Sequence, residues 1–484
     1  MTHRSLAATA VTPLPPGRLE PDAIGVAQDT VIGMASAAPA VCVALTLAAL
    51  AAATAYGSVT SIVITGIPML IIANAYRRLN MWNANCGASF EWVGRAINPY
   101  LGFLTGWLMI AGYIVGAVAG VEVLGPSVLA VFTSRPGSTW TYVLIATAIA
   151  LVMLAIAIVG IRVTARTQVA MAAVEYAILI AFAIIGLIVV LNHHTGTVPI
   201  TSSWFSIGGI GGHGSLAAGL LLSVFIFSGW EGTLYVNEET KHRRINPGRA
   251  AILAVILLTI IYAVAQLGLQ GVVSPTKLQA HSTSALVYVA QALGGAGWSK
   301  VMALSLALSV IAATLTNIVL TSRIIYGMAS YRALPGFLAT VSRRFSTPIS
   351  ASIIVGLLLI ALTWVYLLAN SVANAFTAVI DVSGLLFGSF YILTAFATVV
   401  YYRRRVFTTV RDAMMLGILP AGAAVFLGWI IFKSVQAAPA SQIWSLIGVV
   451  VLGVILMFAA RFILRSPFFQ VPLESDHPEK LTGP

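Results

Sequence analysis

Long apolar runs separated by short polar breaks recur along the whole chain. Twelve runs emerge, at 24–53, 57–76, 97–131, 139–160, 167–191, 213–237, 250–273, 298–330, 348–368, 374–402, 412–433 and 441–464. Each matches the roughly 20 apolar residues that a helix needs to cross a bilayer. The pattern predicts an all-α polytopic membrane protein with 12 transmembrane helices, here called spans 1 to 12. Spans 3 and 8 are too long for one perpendicular crossing, so they tilt or project. The residues at 1–23 and 466–484 read as disordered cytoplasmic tails around a transporter domain at 24–465.

Two runs are interrupted in the same manner. Span 1 carries Gly33-Met34-Ala35-Ser36-Ala37-Ala38-Pro39, and span 6 carries Ser228-Gly229-Trp230-Glu231-Gly232. Lipid cannot solvate the backbone groups that such breaks release, so they persist only where they line a buried site. A matched pair of Gly/Pro-interrupted spans is the sequence pointer to a transporter binding site. Span 6 is the fifth span after span 1, and five is odd. Two units, 24–191 and 213–402, are therefore expected to be inverted copies, with extra helices at 412–465.

Charge refines the topology. The chain of 484 residues is 59% hydrophobic and only 8% charged, with a net charge of +12. Of the 26 Lys and Arg, 22 fall on one side of the predicted spans and four (Arg135, Lys277, Lys300, Lys433) on the other. The positive-inside rule then places both termini in the cytoplasm, in a multi-pass protein of the cell membrane. The basic balance thus reports topology and gives no reason to expect a nucleic acid partner. Cys42 and Cys86 fall near apolar helices and imply neither a disulfide framework nor a metal cluster.

Candidate chemistry concentrates at the breaks. Amides freed at Gly33, Met34, Ala35 and Ser36 are expected to face an anion, aided by the positive end of the following half-helix. Carbonyls of Val31, Phe225 and Ser228, beside Gly229, are expected to accept from an ammonium group. Together they suit a zwitterion such as an α-amino acid. Close helix packing is the competing use for both glycines. Phe225 and Trp230 are candidate gating aromatics, with core packing as the alternative. Five carboxylates lie in or at the ends of spans: Asp29, Glu122, Glu175, Glu231 and Asp381. Such residues default to functional hypotheses. Asp29 and Asp381 sit near span ends and reach water. Glu231 either binds a substrate ammonium or pins the unwound backbone. Glu175 stands alone in an apolar run and is the candidate proton-coupling residue. The hydroxyls and amide of Ser305, Ser309, Thr314, Thr316 and Asn317 offer oxygen ligands for Na⁺, or serve as interhelical glue. The glycine-rich stretch at 208–214 follows no strand and is no phosphate loop. His193-His194 has no further ligands nearby. No arrangement of nucleophile and base points to an enzyme, and no cofactor is expected.

Four further stretches carry a family likeness: Gly87-Ala88-Ser89-Phe90-Glu91-Trp92-Val93-Gly94-Arg95-Ala96 with Gly102-Phe103 and Gly106-Trp107; Gly160-Ile161-Arg162 with Arg166 and Gln168; Ser228-Gly229-Trp230-Glu231 with Glu238-Glu239-Thr240-Lys241; and Ser322-Arg323 with Tyr326, Met328-Ala329, Leu334-Pro335 and Thr347-Pro348. In this order the chain resembles the amino acid–polyamine–organocation transporter superfamily across spans 1 to 10. The resemblance implies a LeuT-like 5+5 inverted repeat and alternating access around spans 1 and 6. It implies an α-carboxylate on amides near Gly33–Ser36, an α-amine on carbonyls of Val31, Phe225 and Ser228, and a gating role for Phe225. Glu175 falls where several relatives carry a lysine, so their lysine mechanism does not transfer. The common Gly-Ser-Gly break reads Gly33-Met34-Ala35, and Pro247 is displaced by one position.

The resulting expectation is a secondary active amino acid transporter, with H⁺ as the coupling ion and Na⁺ as an alternative. A polyamine or basic amino acid exchanger is a second reading. A non-transporting amino acid sensor is a third, disfavoured by tails of about 23 and 19 residues. Oligomeric state stays open.

Overall fold

The computed structural model describes residues 18–476 except 134, 195, 207–215, 282–283 and 370–371. The outer parts of both tails, the 208–214 stretch and the side chains of Glu122 and Asp381 lie outside what is described. Among the described residues twelve helices are long and apolar enough to cross a membrane. The only strand-like pairing among them is an isolated bridge.

The observed spans are Val26–Ser36 with Pro39–Thr54, Ser58–Trp82, Pro99–Phe132, Thr139–Val159, Ile161–Leu191, Leu216–Phe227 with a tighter turn at Trp230–Leu234, Asn246–Leu269, Ala296–Ser330, Ile349–Ala369, Val372–Tyr401, Val410–Ala437 and Ala440–Ile463. Span 2 therefore runs on past its expected end to Trp82, and span 5 begins earlier, at Ile161. Polar Asn and Arg residues suggested helix ends there, but neither breaks a helix. Gly160, with φ +132°, sets the start of span 5. Spans 3 and 8 contain 34 and 35 residues. At 1.5 Å per residue each is about 50 Å long, well beyond the ~30 Å apolar slab.

Packing follows the inverted-repeat expectation. Spans 1 and 6, 2 and 7, 3 and 8, and 4 and 9 pack against each other. Each pair is five spans apart and therefore antiparallel. Spans 1, 6 and 8 form the centre, with 83%, 78% and 78% of their apolar windows buried, against 17% for span 12. The two additional helices lean on the outside, span 11 against span 10 and span 12 against span 3.

The first break falls at the far end of the predicted interruption. Span 1 stays helical through Ser36, and the kink falls at Ala37-Ala38, where Ala38 has φ +45°. Pro39 is the cause: its ring disfavours helical backbone in the preceding residue and suits the first turn of a new helix. Gly33 instead permits close packing. A Cβ there would lie 2.7 Å from Thr233 and 2.9 Å from the Trp230 carbonyl oxygen. The second break is where the sequence placed it, at Ser228-Gly229, with Gly229 at φ +113°.

Both tails are ordered nearer the domain than expected. Leu19 is buried with Cys86 and Val341. The Ala23 amide donates to the Glu239 carbonyl at 2.8 Å, and the Lys241 amide donates to Ile24 at 2.9 Å. At the other end, residues 466–476 form a strap instead of a disordered tail. Phe468 stacks on Phe90 at 4.2 Å and fills the space above Gly94. Glu474 pairs with Arg95 at 2.6 Å, and its amide donates to the Arg95 carbonyl. The reason is the apolar pair Phe468-Phe469, which is buried within an otherwise polar segment.

On the face that carries both chain ends, Arg323 of span 8 meets Glu239, just beyond span 6. Two hydrogen bonds of 3.0 Å join them, and both side chains are fully buried. Thr240 donates to Asp29 at 3.2 Å. Asp29 is thus buried, contrary to the expectation that it reaches water, because the segment after span 6 covers it.

Candidate substrate site at the broken helices

The two breaks touch. A Cβ on Gly229 would lie 2.7 Å from the Ser36 carbonyl carbon and 2.8 Å from the Ala37 nitrogen. Beside this contact is a cavity of about 60 Å³, walled by spans 1, 3, 6, 8 and 10. Ser36, Ala37 and Ala38 form one rim, and Phe225 and Ser228 form another. Tyr113, Phe387 and Asn317 close it from spans 3, 10 and 8. No Asp, Glu, Lys, Arg or His is among the described residues that line it. Its size is small beside the ~300–1,000 Å³ of sites that enclose drug-sized ligands.

The half-helix ends aim charge at this cavity. Span 1b begins at Pro39 and presents its positive end, while span 6a ends at Phe227 and presents its negative end. The expected free amides are not there. Met34, Ala35 and Ser36 lie inside the helix, and the next two amides, Ala37 and Ala38, donate to Met34 and Ala35. Ser36 contributes its hydroxyl instead, which has no hydrogen-bond partner among the described residues. The Phe225 carbonyl accepts from the Ser228 amide and hydroxyl, so it is already occupied. Val31, Gly33, Met34 and Ala35 do not line the cavity. Trp230 does not line it either. It is buried against Tyr391 and Tyr76, with ring centroids 5.6 and 5.2 Å away, which corrects the gating expectation to core packing. Phe225 does line the cavity.

Two buried carboxylates hold the breaks open. Glu231 accepts from Tyr113 at 2.7 Å, from Tyr391 at 2.6 Å and from the Gly229 amide at 3.0 Å. It therefore pins the left-handed turn at Gly229 to spans 3 and 10, and its charge is turned away from the cavity. Glu175 of span 5 accepts from the Ala40 amide at 3.0 Å, in the first turn of span 1b. The Ser305 hydroxyl donates to the Glu175 carbonyl at 3.1 Å. A helix start leaves its first amides without partners, and a carboxylate there is favoured by the dipole. Replacing Tyr391 by Phe removes one donor from a buried carboxylate and is expected to destabilise the protein by about 1.5–3 kcal/mol. Thermal unfolding in detergent measures this, and an unchanged midpoint would show that Tyr391 does not hold Glu231.

Sequence reasoning named Ser36, Phe225, Ser228, Thr314 and Asn317, which the fold brings to the cavity. It missed Tyr113, Tyr391 and Phe387. It also missed a wall of span 3, although Gly112, Gly116 and Gly120 repeat every fourth residue, a known sign of close helix approach. Phe387, Ser383 and Val310 fill the space above these three glycines.

Comparison with known proteins agrees with this architecture. The Asc-type amino acid transporter 1 of Mus musculus is 33% identical over 141 residues, covering 29% of this chain and 26% of that protein. The large neutral amino acids transporter small subunit 2 of Homo sapiens is 30% identical over 162 residues, covering 33% and 30%. The vacuolar cationic amino acid transporter 4 of Arabidopsis thaliana is 22% identical over 321 residues, covering 63% and 52%. The chain thus spans from about a quarter to about half the length of these relatives. The family model described as amino acid permease matches residues 26–467, nearly the whole described chain, and the chain belongs to that family.

Proposed function

We propose that this protein is a secondary active transporter that carries small neutral amino acids by alternating access around the two breaks. One observation carries the reading: the oppositely charged ends of two broken helices meet at a cavity lined by no ionic side chain among the described residues. The α-carboxylate sits at the start of span 1b beside the Ser36 hydroxyl, and the α-amine at the end of span 6a beside Ser228. The substrate side chain points toward Gly116, Gly120 and Ala313. Neutral cargo follows because Glu231 is spent on tyrosines and backbone, and Glu175 on span 1b. A polyamine or basic amino acid would meet no carboxylate among the described lining residues. Residence in the cell membrane with both termini cytoplasmic rests on the Arg-rich face described above.

Uptake of labelled amino acids into proteoliposomes tests the proposal. Saturable uptake of small neutral substrates, competed weakly by lysine, is the expected result. Binding without flux under proton and sodium gradients and in exchange mode would instead leave a sensor.

Coupling to protons is assigned to Glu175. Its second carboxylate oxygen is buried without a hydrogen-bond partner among the described residues, which leaves a place for a proton. Gaining or losing that proton changes the hold on Ala40 and hence on span 1b. Glu175→Gln is expected to abolish stimulation by an inward proton gradient while leaving substrate exchange intact. Gradient stimulation equal to wild type removes Glu175 from the coupling step.

A further inference from the structure

On the face that carries both ends of the described chain, away from the central cavity, two adjoining cavities of about 690 and 410 Å³ share Arg78 and Arg405. The cleft they form lies where spans 2, 10 and 11 reach the membrane boundary. Arg77 and Arg78 come from the last turns of span 2, and Arg411 from the start of span 11. The positive charge here is only partly neutralised: Arg77, Arg78, Arg244, Arg405 and Arg411 line the cleft against Asp412, Glu474 and Asp476, and Glu474 is already paired with Arg95. Arg405 is engaged by Asp412 at 3.3 Å and lies 3.8 Å from Asp476. No ion pair among the described residues reaches Arg77, Arg78 or Arg411. Arg77 makes only a 3.3 Å hydrogen bond to Asn74. The Nε of Arg78 is buried and has no hydrogen-bond partner.

An unpaired buried guanidinium N–H costs free energy unless an acceptor meets it. Like charges drawn into one cleft add repulsion that an anion would relieve. Guanidinium groups match phosphate oxygens in shape and charge. A basic pocket between helices at headgroup depth on the cytoplasmic side is suited to anionic lipid. General positive-inside bias accounts for arginines on this face, but it does not account for three of them converging on a concave site with an orphaned donor. We propose that this cleft binds the phosphate of an anionic phospholipid headgroup, held by Arg78 at its floor and by Arg77 and Arg411 at its rim. The bound lipid fastens the outer helix, span 11, to spans 2 and 10.

The test uses the full chain purified in a neutral detergent. Thermal unfolding is followed while dioleoyl-phosphatidylglycerol, dioleoyl-phosphatidylcholine or inorganic phosphate is added. Phosphatidylglycerol is expected to raise the midpoint saturably, and the other two are not. Arg78→Gln and Arg411→Gln are each expected to weaken the apparent affinity about fivefold, matching the ~1 kcal/mol that one basic side chain contributes near an anionic surface. If the partly buried Arg78 variant fails to fold, Arg77→Gln and Arg411→Gln decide the matter. Unchanged affinity in the rim variants overturns the site. An equal shift with inorganic phosphate alone overturns the lipid as its occupant.

Discussion

Glu239→Ala is expected to cost about 3–5 kcal/mol, because it strands a fully buried guanidinium with no counter-charge. Arg323 and Glu239 are both inaccessible to solvent and share two hydrogen bonds of 3.0 Å. Neither can swing to water when its partner is lost, which separates this pair from the exposed Arg162–Glu20 bridge. Exposed pairs of that kind contribute little. The destabilisation appears as a lowered unfolding midpoint and a loss of monodisperse protein in detergent. The control is the double variant Glu239→Leu with Arg323→Met. Removing both charges together restores much of the loss, since well-packed apolar residues replace buried ion pairs at little cost. A single Glu239→Ala variant as stable as wild type would mean that water reaches Arg323 and the pair is not sealed.

Gly229→Leu is expected to abolish uptake. Two independent effects act at this position. Its φ of +113° is one that residues with a side chain rarely adopt, a strain of about 1–3 kcal/mol. Even the first carbon of the new side chain collides with the span 1 break, 2.7 Å from the Ser36 carbonyl carbon and 2.9 Å from the Ser36 hydroxyl. Overpacking of this kind adds about 1–3 kcal/mol. The collision falls between the two half-helices whose relative motion the proposed cycle requires. Gly229→Ala carries the strain and the first collision without the bulk, so it falls between wild type and Leu. Proteoliposome uptake, normalised to protein that elutes as a single peak, is the readout. Wild-type flux through Gly229→Leu would place the transport path elsewhere.

Much of this was legible beforehand, and the failures have identifiable causes. The number of spans follows from apolar length, because a bilayer sets a minimum of roughly 20 residues for a helix that crosses it. The pairing of the breaks follows from their spacing. Within the interruption at Gly33–Pro39, the sequence did not show which residue breaks the helix. Glycine does not end a helix held by its neighbours, whereas proline forbids helical backbone just before it, so Pro39 prevailed. The residues that grip Glu231 were hidden for another reason. Tyr113 and Tyr391 lie 278 positions apart in apolar runs, where an aromatic residue looks like ordinary core. Only the crossing of spans 3 and 10 turns them into a clamp. The strap at 466–476 was obscured by its polar surroundings, although Phe468-Phe469 was the clue.

The glycine wall of span 3 gives this protein a way to change its diet. At Gly120 an added methyl would rest 3.5 Å from Val310, an ordinary contact that asks nothing of the helix backbone. At Gly116 the same methyl would come within 3.1 Å of the Ser383 hydroxyl, a neighbour that must give way slightly. Under the transport reading proposed above, single-carbon additions at these lining glycines would narrow the cavity while leaving the breaks and their clamps untouched.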